Sequence, residues 1–361
     1  MPNLSLRIES SPKTIPITIG QFLWEKFVEF LSAKFASYSI FLLTDSNVAT
    51  HHRGRAVRYL QRHSRFIDAI VFPAGEQSKS REQKAELEDL LLQKKAGRDS
   101  LLVAMGGGVT GDLVGYVAAS LHRGVPLVHL PTSLLAMIDS SIGGKVGVNH
   151  PAGKNLLGAF CQPEAIFTDI DFLQTLPDTE YRNGLAEAVK YAVILDPDLF
   201  TFLEKQRDQI LTRNPESLLE IITRCVKLKI SVVEKDEKET NYRSILNFGH
   251  TVGHAIEKLS GLKIKHGFAV AAGMVTAVRL SRMLLNFPEE QVQRLLDLLR
   301  AYRLLETNIA RFSPGEIWQT MQTDKKVRQQ ISRFTLLDKN GAPVLFHPVS
   351  QEDLFHALKA S

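Results

Sequence analysis

Ser100–Met105 (SLLVAM) is an uncharged, apolar run that passes straight into Gly106-Gly-Gly108. Such a run closed by glycines reads as a buried strand that turns tightly into a helix. Residues 38–44, 66–72 and 126–130 read as further strands. A polar, Leu-punctuated helix runs to about Lys95, and 111–121 reads as another helix. Short apolar strands alternating with helices predict a parallel, doubly wound, Rossmann-like α/β sheet.

The pattern changes near residue 180. Residues 181–195, 197–211, 216–235, 245–260, 267–285, 288–302 and 314–323 repeat apolar side chains at helical spacing. Residues 331–337 and 342–346 flank Asp338-Lys-Asn-Gly341, a hairpin signal. The expected organisation is an α/β domain over 1–180 and a mainly helical domain over 181–361.

Glycines 106, 108 and 111 satisfy G-x-G-x-x-G between strand and helix, with Thr110 and Asp112 beside them. Glycine lets backbone amides approach a pyrophosphate, and the helix N-terminus favours its charge. The loop comes late, so the acidic ribose partner is sought at Asp45 with Asn47, after an earlier strand. A tight turn without a ligand is the plainer alternative. Further on, a segment that holds Asp139 is rich in small and polar residues, with Lys145, Lys154 and Asn155 read as loops. Two lysines and an Asn suit a phosphate or carboxylate, or equally a solvated loop.

Glu187 and Lys190 share a face at i, i+3, and His250 and His254 share one at i, i+4, with Arg243 and Asn247 one and two turns earlier. His266 follows in KHGF. Two His and one Glu form a common catalytic zinc shell with an open position. A lone His on an apolar face is more often a satisfied core residue, so spacing leaves both readings open. Three protein ligands suffice, which leaves one of His250 and His254 as a base or a supporting residue.

Composition narrows the partners. At 361 residues, 44% hydrophobic and 23% charged, this is an ordinary globular chain. A net charge of +5 fits a small anionic substrate. No basic stripe with interleaved aromatics points to nucleic acid, and no uncharged apolar run reaches the roughly 18 residues of a membrane span. Two isolated cysteines, Cys161 and Cys225, and an N-terminus without a signal-peptide pattern lead us to expect a cytoplasmic protein.

Taken together, GGGVTGDLVG, SLLAMIDSSIGGKVGVN, GKNLLGAF, GLAEAVKY, NFGHTVGHAIE and KHGFAVAAGM resemble the 3-dehydroquinate synthase family from Asp45 to about Lys326. The resemblance implies NAD and a divalent metal, usually zinc, with cobalt as an alternative. It implies conversion of 3-deoxy-D-arabino-heptulosonate 7-phosphate to 3-dehydroquinate plus phosphate. The implied steps are transient oxidation by NAD, phosphate elimination, reduction and intramolecular aldol closure.

Carried onto this chain, the implied metal ligands are Glu187, His250 and His266. Implied substrate contacts are Asp139, Lys145, Lys154, Asn155, Lys190, Arg243, Asn247, His254 and Lys325 or Lys326. By the same resemblance Arg123 would reach a neighbouring subunit's phosphate site, which implies a homodimer. Implied NAD contacts are Asp45, Asn47, Glu76, Lys79, Gly107, Gly108, Asp112, Thr132, Ser133, Lys154, Phe172, Thr175, Leu176 and Glu180. Ser133 stands where the family usually has Thr. His122 replaces a more usual apolar residue, and Gln329 and Gln330 occupy a stretch where a Gly is usual. Three rivals remain: a related cyclase making an inosose or valiolone, a metal-dependent polyol dehydrogenase, and a non-catalytic NAD-binding protein. The polyol dehydrogenase would lack the lysines of DSSIGGK and GKN.

Overall fold

The computed structural model describes residues 13–63, 65–306, 311–324 and 332–359. In chain order its strands are β1 (Ile17–Gly20), β2 (Ser39–Asp45), β3 (Phe66–Phe72), β4 (Ser100–Gly106), β5 (Leu127–Pro131), β6 (Lys145–His150), β7 (Gly153–Phe160), β8 (Ala165–Asp169), β9 (Ser332–Leu337) and β10 (Pro343–Val349). Among the described residues a six-stranded sheet has the order β1-β8-β5-β4-β2-β3, with neighbouring strands parallel.

Alternation along the strands explains why helices cover both faces. Ile40, Leu42, Leu101, Val103 and Met105 join Trp24, Phe27, Ala56 and Leu60 on one side. Phe41, Leu43, Leu102 and Ala104 join Leu87, Leu91, Leu113 and Val117 on the other. β4 is buried at every residue. Central parallel strands have no wet face, so they read as continuous apolar runs.

The strand order resolves the late position of the glycine loop. From β2 the chain steps outward to β3, then crosses back to β4 on the other side of β2. β2 and β4 therefore flank the point where the winding reverses. Asp45 and Gly106 end these two strands. A doubly wound sheet binds its ligands outside the carboxyl ends of such a pair.

Beyond Asp178 helices dominate. Asp196 caps Pro197–Lys205 by accepting from the Leu199 amide, and Asn214 caps Pro215–Lys235 through Ser217. Both place Pro just inside the helix, where its missing N–H is harmless. The helix His266–Leu285 is apolar enough to resemble a membrane span, but 67% of its most apolar window is buried inside the molecule. It is the hub against which Asp178–Leu195, His250–Leu259, Glu289–Ala301 and Gln351–Lys359 pack.

Several expectations need correction. The helix expected over 245–260 is broken. Tyr242–Asn247 is a separate 3-10 turn, and Gly249, at φ +78°, precedes the helix His250–Leu259. Arg243 and Asn247 therefore do not continue the His250 face. The helix expected over 197–211 splits into Pro197–Lys205 and Arg207–Leu211. Lys145, Lys154 and Asn155 are not in loops but on the antiparallel pair β6 and β7. β1, β8, the helix Trp24–Lys34 and the helix Gln351–Lys359 were not read from the sequence. The expected C-terminal hairpin is present as β9 and β10, with Ile331 outside the described residues.

Candidate active site

Three helices converge on one buried carboxylate. Glu187 is fully buried in the helix Asp178–Leu195, with the Lys190 ammonium against it one turn on. His250 Nε2 lies 3.7 Å and His266 Nε2 3.4 Å from Glu187 Oε1. The candidate ligand atoms of these three residues all fall within 4.8 Å of one another. Glycine makes the approach possible. A Cβ on Gly273 would sit 1.8 Å from the Gly249 carbonyl oxygen, so the helices carrying His250 and His266 touch backbone to backbone. Asn183, one turn before Glu187, accepts from the Gly267 amide at 2.6 Å and pins the start of the His266 helix beside Glu187.

Both imidazoles are turned ready for a cation. His250 Nδ1 lies 3.2 Å from the Phe248 carbonyl oxygen, and His266 Nδ1 lies 3.2 Å from Glu257 Oε2. With a proton on each Nδ1 satisfying these acceptors, it is Nε2 of each ring that faces Glu187. Neither Glu187 oxygen has a hydrogen-bond partner, although each is at ion-pair range of a cationic group. A buried carboxylate in that state fits a divalent cation.

Charge at this centre is balanced by opposing effects. Burial alone would raise the Glu187 pKa, but Lys190, His250 and His266 hold it well below the usual carboxylate range. Burial and Lys190 push His250 well below its ordinary value, against the pull of Glu187. Burial disfavours the charged form of His266 too, yet Glu187 and Glu257 raise it to about 10. Without a cation, His266 keeps a proton between two carboxylates. A divalent ion held at Nε2 would take that proton's place.

His254 lies beside the pair, with its ring 5.3 Å from His250 and 6.1 Å from His266. His254, Glu257 and His266 form a second possible triad that shares His266. Glu257 is already engaged, however. Its Oε1 accepts from Lys154 Nζ at 2.8 Å, and its Oε2 faces His266.

Two further clusters adjoin this centre. Asp139 pairs with Lys229 and accepts from the Tyr191 hydroxyl at 3.0 Å. Burial opposes ionisation of Asp139, but Lys229 and Lys190 bring its pKa down to about 2. Nearby, Arg243 Nη1 donates to the carbonyls of Glu237 at 2.6 Å and Gly143 at 3.3 Å, and Asp236 accepts from the Arg243 amide at 3.0 Å. Glu239 lies against Lys145 and accepts from Asn247 Nδ2 at 3.3 Å. Burial, with Arg243 and Lys229 nearby, lowers the Lys145 pKa to about 8.

A polar chain runs from these clusters to the glycine loop. Lys154 lies 4.0 Å from Glu76, Glu76 accepts from Asn149 at 2.7 Å, and Asn149 accepts from the Asn155 amide at 3.0 Å. Lys79 then donates to Asn155 and to Asp112, each at 2.5 Å. Burial raises the Asp112 pKa, with Lys79 opposing. Thr110 Oγ1 donates to Asp45 Oδ2 at 3.0 Å, joining the strands that flank the switch point. Asp45 Oδ1 also caps the turn through the Asn47 and Val48 amides. The Thr132 amide donates to Gly106 at 2.9 Å, and Ser133 packs where a Cβ on Gly107 would point.

Phe172, Thr175 and Leu176 gather at the end of the turn Ile170–Thr175, where His52 Nε2 meets Thr175 Oγ1 at 2.7 Å. Glu180 pairs with Lys265 at 2.5 Å. Arg123 is apart from the rest. It is exposed, at φ +68°, in the turn before β5, at the opposite end of the sheet from Gly106. Lys325 and Lys326 lie outside the described residues.

Glu257, Lys229, Asn183 and Tyr191 were not singled out in the sequence. Glu257 carried a readable signal, three residues after His254 and seven after His250 on one helical face. The Lys229–Asp139 pair spans 90 residues, and no local pattern announces it.

Known proteins resemble this chain along most of its length. Residues 69–183 match the 3-dehydroquinate synthase N-terminal model, and residues 184–327 match the 3-dehydroquinate synthase C-terminal model. A 3-dehydroquinate synthase from Desulforamulus reducens is 41% identical over 98% of this chain and 99% of its own. The chain belongs to the 3-dehydroquinate synthase family. It is an enzyme of that kind, a lyase acting on phosphates. Two solved structures share the fold across nearly the whole chain. A 2-deoxy-scyllo-inosose synthase complexed with carbaglucose-6-phosphate, NAD+ and Co2+ is 28% identical, with TM-score 0.88 over 96% of both chains. A 2-epi-5-epi-valiolone synthase from Streptomyces hygroscopicus with NAD+ and Zn2+ bound is 27% identical, with TM-score 0.88 over 98% of this chain and 99% of its own.

Proposed function

We propose that this chain converts 3-deoxy-D-arabino-heptulosonate 7-phosphate to 3-dehydroquinate and phosphate, with NAD and a zinc or cobalt ion, in the route to aromatic amino acids. One observation carries the reading. Glu187, His250 and His266 meet beside Asp139, Lys145, Lys190 and Arg243, and polar contacts continue from there to the glycine loop.

Glu187, His250 and His266 hold the cation. Gly107, Gly108, Asp45, Asn47, Glu76, Lys79, Asp112, Thr132, Ser133, Lys154, Phe172, Thr175, Leu176 and Glu180 border the dinucleotide. When bound, the cation supplies Lewis-acid polarisation and NAD a hydride acceptor that returns what it takes. Lys145, Lys154, Asn155 and Arg243 grip the phosphate, joined by the partner's copy of Arg123 in a homodimer. Lys190, with Lys325 or Lys326, faces the carboxylate end. Asp139 and Asn247 orient hydroxyls, and His254 relays a proton.

The domain boundary lies near residue 180, where the helix Asp178–Leu195 begins. The isolated thiols Cys161 and Cys225 suit a cytoplasmic home. Neither nucleic acid nor membrane is a partner in this reading. The second reading, a cyclase making an inosose or valiolone, draws on the TM-score of 0.88 to such enzymes. Metal removal tests the proposal. Chelation should stop phosphate release from the heptulosonate in the presence of catalytic NAD, and zinc or cobalt should restore it. Full activity after complete chelation would overturn the reading.

A further inference from the structure

We propose that Glu257 is a positioning residue that fixes the imidazole of His266, with Lys154 of the β6–β7 hairpin holding its other oxygen. The inference rests on His266 being a metal ligand. Glu257 is only 2% exposed. A carboxylate that buried needs partners on its oxygens. It has two, from different parts of the fold: His266 Nδ1 at 3.2 Å from Oε2 and Lys154 Nζ at 2.8 Å from Oε1.

The first contact sets the ring. With Nδ1 donating to Glu257, Nε2 is the nitrogen that points towards Glu187 Oε1, 3.4 Å away, and the one a cation would take. A charged acceptor behind an imidazole fixes its tautomer and strengthens it as a ligand. The second contact sets Glu257 itself. Lys154 stands on β7, and its neighbours Glu76, Asn149, Asn155 and Lys79 continue to Asp112 in the first turns of the helix Gly108–Ser120. The orientation of a metal-centre imidazole is thereby anchored to the hairpin that borders the dinucleotide loop. Glu257 acting instead as a ligand of a second cation, with His266 Nδ1 also on that ion, would have to give up the Nδ1 contact.

Cobalt is the probe. Its dissociation constant is measured by competition with a chromophoric chelator, and its visible spectrum is read at saturation. The full-length parent, Glu257→Ala, Glu257→Gln and His250→Ala are compared, with circular dichroism as the check on folding. Glu257→Ala should weaken cobalt about 10–100-fold and shift the visible bands, with one cobalt per chain retained. Glu257→Gln should lose less, because its amide oxygen still accepts from Nδ1. This isosteric variant carries the test if the alanine protein does not fold. Parental cobalt affinity and spectrum in both Glu257 variants would overturn the proposal, and the ligand assignment would stand if His250→Ala still lost cobalt. Parental binding in His250→Ala would instead overturn the ligand assignment itself. Two cobalt ions per parent chain, falling to one in Glu257→Ala, would make Glu257 a ligand and also refute the positioning role.

Discussion

Replacing Glu187 by Gln should destabilise the metal-free protein as well as abolish turnover. The side chains of Glu187 and Lys190 are 0% and 1% exposed and in direct contact. Glutamine keeps the shape but removes the charge, which leaves the Lys190 ammonium buried without the carboxylate it touches. Removing one partner of a buried pair costs about 3–5 kcal/mol. Removing the stranded charge as well leaves no uncompensated buried charge, so Glu187→Gln/Lys190→Met should recover most of that loss. The assay is urea unfolding in excess chelator, followed by fluorescence of the buried Trp24 and Trp318. With a slope of about 3 kcal/mol/M, the single variant's midpoint should fall by roughly 1–1.7 M. A midpoint within about 0.3 M of the parent, or a double variant no more stable than the single one, would refute the buried ion pair. Neither variant should turn over, because both lack the ligand.

The remaining expectations concern charge, packing and assembly. A lysine titrating at about 8 is charged below that pH and neutral above it, so kcat/KM should fall as pH rises through about 8. Lys145→Arg, which stays charged, should move this alkaline limb upward, and an unmoved limb would clear Lys145 of the role. Gly273→Ala puts a methyl group into the contact with Gly249 and should cost about 1–3 kcal/mol, with weaker metal binding read by chelator competition. Normal metal affinity in that variant would show that the helix approach does not set the centre. If Arg123 acts across a dimer, refolding Arg123→Ala with His250→Ala as an equal mixture should restore about a quarter of parental activity, since half the dimers are mixed and each holds one complete site. No recovery would place Arg123 outside the partner's site.

Much of the fold was legible because its central strands carry their own signal. β4 reads as a continuous apolar run from Leu101 to Met105 because both its faces are covered, and the glycines that end it mark the turn. β6 and β7 hid behind their composition. Gly147 pairs with Gly158, and a Cβ on Gly147 would lie 2.4 Å from the Leu157 carbonyl oxygen. Glycine serves this close pairing, yet in a sequence it signals a loop. The break before His250 hid for the converse reason, because apolar spacing continues on both sides of Gly249 while its positive φ ends the turn. In the site, the His250–His254 spacing was visible. The meeting of Glu187 with His266 depends on Asn183 and on a helix contact between distant segments, which no local periodicity encodes.

The most direct test of the account is a head-to-head assay of 3-deoxy-D-arabino-heptulosonate 7-phosphate against sedoheptulose 7-phosphate, with zinc and catalytic NAD. The account predicts phosphate release from the heptulosonate alone, matched by 3-dehydroquinate, with no net build-up of NADH. Preferential turnover of sedoheptulose 7-phosphate, or steady NADH accumulation, would contradict it.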